Sequence, residues 1–159
     1  MQHHATTAAI LLFSAFTSMG AFCAPEPTQP PPTYDDSEGR RKVFAQTYTL
    51  MEPLIKDNFP KIELQEAQYQ DWHASLGDAE RSSSTYGVVV KQHDDLVART
   101  ASARSEYEAW TAYFEAHKDS ATNEERTKLV NDAQAAQKNA SKVYMDYGSL
   151  KSTMMQIKP

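Results

Sequence analysis

From Tyr86 onward, small or apolar residues return in alternating steps of three and four, at Tyr86, Val89, Leu96, Ala103, Tyr107, Trp110 and Phe114, with His93, Thr100 and His117 in the same row. A 3.5-residue period is the pattern of helices that pack at a shallow angle. Asp119-Ser120-Ala121-Thr122 interrupts it. Thr122 followed three residues later by Glu125 reads as a capping box, so a new helix is expected to start there. That helix repeats the alternation at Leu129, Ala133, Ala136, Ala140, Val143, Tyr147, Leu150, Met154 and Ile157.

A short turn between two long helices predicts an antiparallel hairpin. The two rows can be laid against each other in one register. Phe114 then faces Leu129, Trp110 faces Ala133, Tyr107 faces Ala136, Leu96 faces Tyr147 and His93 faces Leu150. Large residues often meet small ones, the alternation of volume that close packing favours. Each helix would be about 50 Å long at 1.5 Å per residue. Val90, Val97, Tyr113, Val130 and Tyr144 lie beside the seam and need cover of their own.

Upstream, a weaker stripe (Val43/Phe44, Thr47/Tyr48, Leu50/Met51, Leu54/Ile55) predicts a helix over 36–57, opened by acidic residues and bent or shortened at Pro53. Asn58-Phe59-Pro60 reads as a turn. A second helix is expected over 61–81, with Ile62, Tyr69, Trp72, Leu76 and Ala79 on one side. Residues 82–87 read either as a loop or as a soft spot in one long helix. The fold class expected is all-α: a long antiparallel, coiled-coil-like helical hairpin with two shorter N-terminal helices packed on it as a bundle over 35–159. The alternative is an extended hairpin whose flank is buried by a second chain.

The first residues follow different rules. Ala8 to Ala21 is almost wholly apolar or small, and no Asp, Glu, Lys or Arg precedes Glu26. The run is shorter than the roughly 20 residues of a membrane span and has the length of a signal-peptide core. Residues 1–23 are therefore expected to be a cleaved export signal, with Ala21-Phe22-Cys23 as the cleavage pattern. No membrane span is expected in the mature chain. Cys23 is also readable as a lipid anchor, which would make the protein an outer-membrane lipoprotein; Phe22 beside it tells against that reading. Residues 24–34 form a proline-rich spacer, since five prolines between Ala24 and Thr33 fix φ and remove backbone donors. The expected localisation is periplasmic or secreted.

Composition narrows the chemistry. The formal net charge of the 159 residues is -5, which gives no clustered cationic footprint for nucleic acid. A single cysteine excludes an intramolecular disulfide and a cysteine-rich metal site. His93 and His117 are about 36 Å apart on one helix, and no histidine pair has the spacing of a helical zinc motif. No metal, cofactor or catalytic residue is assigned. The His93-Asp94-Asp95 run could orient an imidazole, or His93 could be a seam histidine held by a neighbour.

The candidate partner-binding surface is Tyr113, Tyr144, Trp110 and His117, because exposed tyrosine is enriched at interfaces. Tyr107, Trp110 and Phe114 also follow the seam and read equally as core. The function expected is that of an exported, non-enzymatic helical protein that binds a protein partner as an adaptor, a chaperone-like binder or an inhibitor of the immunity type. Self-association into a coiled-coil homo-oligomer and a helical small-molecule carrier are the alternatives.

Overall fold

Pro60 explains the first break in the chain. Its ring collides with the carbonyl four residues earlier and it has no N–H to offer there, so one helix stops at Lys56 and another begins beyond Asp57. The computed structural model describes residues 37–157, and all regular structure among them is helical. The elements are α1 (Ser37–Lys56), α2 (Asn58–Ser75), α3 (Asp78–Arg81), α4 (Ser84–His117) and α5 (Asn123–Met154). The expected export signal over 1–23, the spacer over 24–34 and Cys23 lie outside the described residues.

The turn expected at Asn58-Phe59-Pro60 shrinks to Asp57 alone. Pro60 stands in the first turn of α2, where a missing N–H removes nothing from the helix ladder. Asn58 supplies donors that the break takes away. Its buried Nδ2 donates to the carbonyls of Leu54 at 2.9 Å and Ile55 at 3.2 Å, closing the end of α1. Pro53 does not end α1, which runs on to Lys56.

The helix expected over 61–81 is two pieces, because Leu76 and Gly77 are extended between α2 and α3. Ser82 and Ser83 separate α3 from α4. Ser83 caps α4, its Oγ accepting from the Tyr86 N–H at 3.1 Å. At the start of α5 the capping box is present in both directions. Thr122 Oγ1 accepts from Glu125 N at 3.2 Å, and Glu125 Oε2 accepts from Thr122 N at 2.6 Å. Thr122→Ala should lower stability by about 1 kcal/mol, read as a shift in the urea midpoint. An unchanged midpoint would show that tertiary packing alone starts α5 there.

The core follows the 3.5-residue stripes. Val89, Leu96, Ala103, Trp110 and Phe114 of α4 are buried, as is every stripe position from Leu129 to Ile157. Contacts between helices follow an order. Along α4 and α5, Arg99 meets Asp146 at 2.6 Å, Glu106 meets Asn139 at 2.7 Å and Trp110 meets the Leu129 carbonyl at 2.9 Å, so partners fall on α5 as they rise on α4. Along α2 and α5 both rise together, from Asn58 with Ser141 to Glu66 with Tyr147 and Gln68 with Lys151.

Four rings from α1 and α4 interleave at one end of this core. Phe44 stacks on Phe114 at 5.5 Å, Phe114 on Tyr48 at 4.0 Å, and Tyr48 on Trp110 at 4.7 Å, all within 17° of parallel. This stack fastens α1 against the region where α4 turns into α5. Among the described residues no helix is long and apolar enough to cross a membrane.

Candidate functional site

The four residues singled out as a partner surface do not form one patch. Trp110 is only 2% exposed and belongs to the core. Its indole N–H reaches the Leu129 carbonyl of α5 at 2.9 Å. Tyr113 and His117 do sit together beside the turn into α5. Their rings stack at 4.2 Å, His117 Nδ1 lies 2.8 Å from the Tyr113 carbonyl, and Lys128 Nζ stands 4.8 Å from the Tyr113 ring centre. Burial, followed by the Glu125 charge, raises the Tyr113 phenol above its ordinary value. Tyr144, exposed on α5, lies about 24 Å along the helix from Lys128 at the standard rise and is faced by Lys61 of α2 instead.

A dense polar cluster lies elsewhere, where side chains of α2, α4 and α5 meet. Glu66 of α2 projects between the other two helices. His93 Nε2 lies 2.8 Å from its Oε2 and 3.0 Å from its Oε1. A carboxylate only accepts, so Nε2 carries the hydrogen. Tyr147 Oη donates to Oε2 at 2.9 Å, and Gln70 Nε2 donates to Oε1 at 2.6 Å. The His93 ring lies flat on Tyr69, 3.6 Å between centres and 7° from parallel. Farther along, His73 Nε2 is 2.7 Å from Tyr86 Oη, joining α2 to the start of α4.

Burial pulls the Glu66 carboxyl upward, but hydrogen bonds from Gln70, His93 and Tyr147 outweigh it and hold the group below the ordinary carboxylate range. The same arrangement raises the Tyr147 phenol, through burial first and the Glu66 carboxylate second. Tyr107 behaves likewise near α1: burial and its bond to Glu52 Oε1 push its phenol up to about 12. Between Tyr147 and Glu66 the proton stays on the phenol and the charge on the carboxylate. Through Glu66 the cluster joins α2 to His93 of α4 and Tyr147 of α5.

The imidazole is not oriented by its sequence neighbours. His93 Nδ1 is 3.8 Å from Asp94 Oδ1, beyond hydrogen-bond length, whereas Glu66 lies across the helix interface. Glu66 and Tyr69 carried no signal in the sequence as partners of His93, because nothing local marks a contact between separate helices. A polar ring in the middle of a mostly apolar row was the one clue that some partner had to exist.

An open apolar groove of about 530 Å³ lies over this clasp, between α2 and α4. Ile62 and Ala67 form one wall and Val97 and Ala101 the other, with Tyr147 of α5 contributing from below. Arg104 and Glu63 close part of its rim with an ion pair at 2.6 Å. Val97 is 46% exposed there. Among the described residues no three His, Cys, Asp or Glu side chains are grouped so that they could hold a metal ion. Compared with protein-family models, curated proteins and solved structures, the chain matches none.

Proposed function

We propose that this chain is an exported protein that works by binding rather than catalysis, engaging a protein partner in the cell envelope or outside the cell. In this reading α4 and α5 are a long antiparallel, coiled-coil-like hairpin, α1 and α2 brace it as a bundle, and the partner lays an amphipathic helix into the groove between α2 and α4. The observation that carries the reading is that groove. Its walls are apolar side chains set one helical turn apart, Val97 with Ala101 on α4 and Ala67 near Ile62 on α2. Such walls accept the i, i+3, i+4 anchors of a docking helix. The Glu66 carboxylate in the lining already accepts from His93 and Tyr147, so the groove offers mainly shape and apolar contact.

The test is site-specific photo-cross-linking of the exported protein in its own cells. A photoreactive residue at Val97 or Ala101 should give one discrete adduct whose extra mass belongs to a different protein. The same residue at exposed Lys138 on α5 should give none. No adduct at either groove position overturns the reading. An adduct of twice the chain's own mass replaces the partner with a second copy.

A further inference from the structure

The α2–α4 groove carries a charge that its walls do not cancel. Among the described residues, the charged ones in its lining are Glu63, Glu66 and Arg104. Arg104 is committed: its guanidinium pairs with Glu63 at 2.6 Å and lies 4.7 Å from the centre of the Phe59 ring. Two carboxylates against one guanidinium leave one negative charge, and it resides on Glu66. The groove on the other side of α2, against the end of α5, encloses about 470 Å³ and has Asp71 and Lys151 in its lining, which offset each other.

Glu66 is placed to use that charge. Burial opposes its ionisation, but its hydrogen bonds outweigh the cost and keep the carboxylate charged. Its side chain is still 32% exposed, so an incoming group can touch it. The donors already present are His93, Tyr147 and Gln70, and none is Lys or Arg. A carboxylate has about four acceptor positions, so three donors leave room for one more. Both of its oxygens already accept, which suits a single ammonium better than the two-pronged guanidinium fork. The walls around it are short. Ala67 on α2 and Ala101 on α4 let a docking helix come close, and Val97 offers apolar surface to the stem of a long side chain.

We propose that the helix laid in this groove has a lysine within its apolar face, whose ammonium meets Glu66 between aliphatic anchors resting on Val97 and Ala101. The inference rests on the partner-binding reading of the groove and names the chemistry of its occupant. Charge complementarity selects that occupant. A purely aliphatic helix would cover an ionised carboxylate without supplying a counter-charge, which is costly. An acidic helix would bring a second negative charge against the first.

The test uses the purified chain, a version of it with a photoreactive residue at Val97, and two short synthetic helices. Both helices have leucines at i, i+3, i+4 and i+7. Within that face one has a lysine and the other an acetylated lysine, which keeps the stem and removes the charge. Both should be trapped at Val97. By fluorescence anisotropy the lysine helix should bind the parent about tenfold more tightly, as for one charge-assisted hydrogen bond in a site open to water. The preference should shrink as salt is added. In Glu66→Gln the two helices should bind alike. Damage to the fold weakens both helices together, so their ratio isolates the charge. Equal binding to the parent, with both helices trapped at Val97, overturns the inference and leaves the groove reading standing. A preference that survives in Glu66→Gln does the same. If neither helix is trapped at Val97, the groove reading fails and this inference fails with it.

Discussion

Replacing Trp110 with alanine is expected to remove about 3–5 kcal/mol of folding stability, the usual range for emptying a buried aromatic site. The indole fills the core between α4 and α5, stacks on Tyr48 of α1 and donates to the Leu129 carbonyl. Deleting it therefore loosens two interfaces at once. Because domains of this size are stable by only about 5–15 kcal/mol, such a loss is a large share of the total. Trp110→Phe keeps most of the ring contact and loses the N–H, so it should cost only about 1 kcal/mol for the hydrogen bond plus a smaller packing loss.

Urea unfolding followed by circular dichroism reads both variants. If α1 leaves the core in Trp110→Ala, the slope of the transition should fall as well as the midpoint, since less surface remains to be exposed. An unfolding free energy within about 1 kcal/mol of the parent for Trp110→Ala would show that the aromatic stack is not what holds α1 in place.

The second large effect belongs to Glu66. Glu66→Ala strands the Tyr147 hydroxyl and the His93 N–H in a mostly buried place, which should cost about 2–3 kcal/mol near neutral pH. It should also change the acid side of the stability profile. The Glu66 carboxyl has a lower pKa in the folded chain than its ordinary value of 4.5. Its contribution is therefore complete above that unfolded value and is lost as pH falls through the folded one. Asp146 acts in the same direction below its ordinary 3.8, where Lys142 and Arg99 hold it ionised.

The parent should lose stability as pH drops below about 4.5, and the alanine variant should lose less over that window. Asp146→Asn should flatten the lower part of the same limb, where its own carboxyl titrates. Midpoints measured from about pH 7 to about pH 3 test this. Curves for Glu66→Ala and the parent that stay parallel throughout would mean that the clasp does not link α2 docking to proton binding.

Much of the helical plan is written locally. The rows from Val89 to Phe114 and from Leu129 to Ile157 are buried along nearly their whole length because a helix turns its side chains to one face at a fixed spacing. The Thr122 and Glu125 pair marks a helix start through contacts only three residues apart, so it can be read without any tertiary knowledge. Local rules were less reliable where two of them compete. Pro60 was readable as a turn residue, yet its missing N–H is equally at home in the first turn of a helix, and the buried Asn58 side chain made that second option workable. The apolar row of α1 also over-promised: Leu50 and Leu54 are exposed, while Phe44 and Ile55 are buried.

By itself the sequence determined that this segment is helical, where α4 and α5 divide, and which row of each long helix turns inward. Those properties depend on neighbours within a turn or two. Only the tertiary structure decided that Trp110 is a core residue and Tyr113 and Tyr144 lie far apart, that Glu66 is the partner of His93, and that grooves lie on both sides of α2. Such features depend on which side chains meet across separate helices, and distant residues leave no mark on one another in the order of the chain.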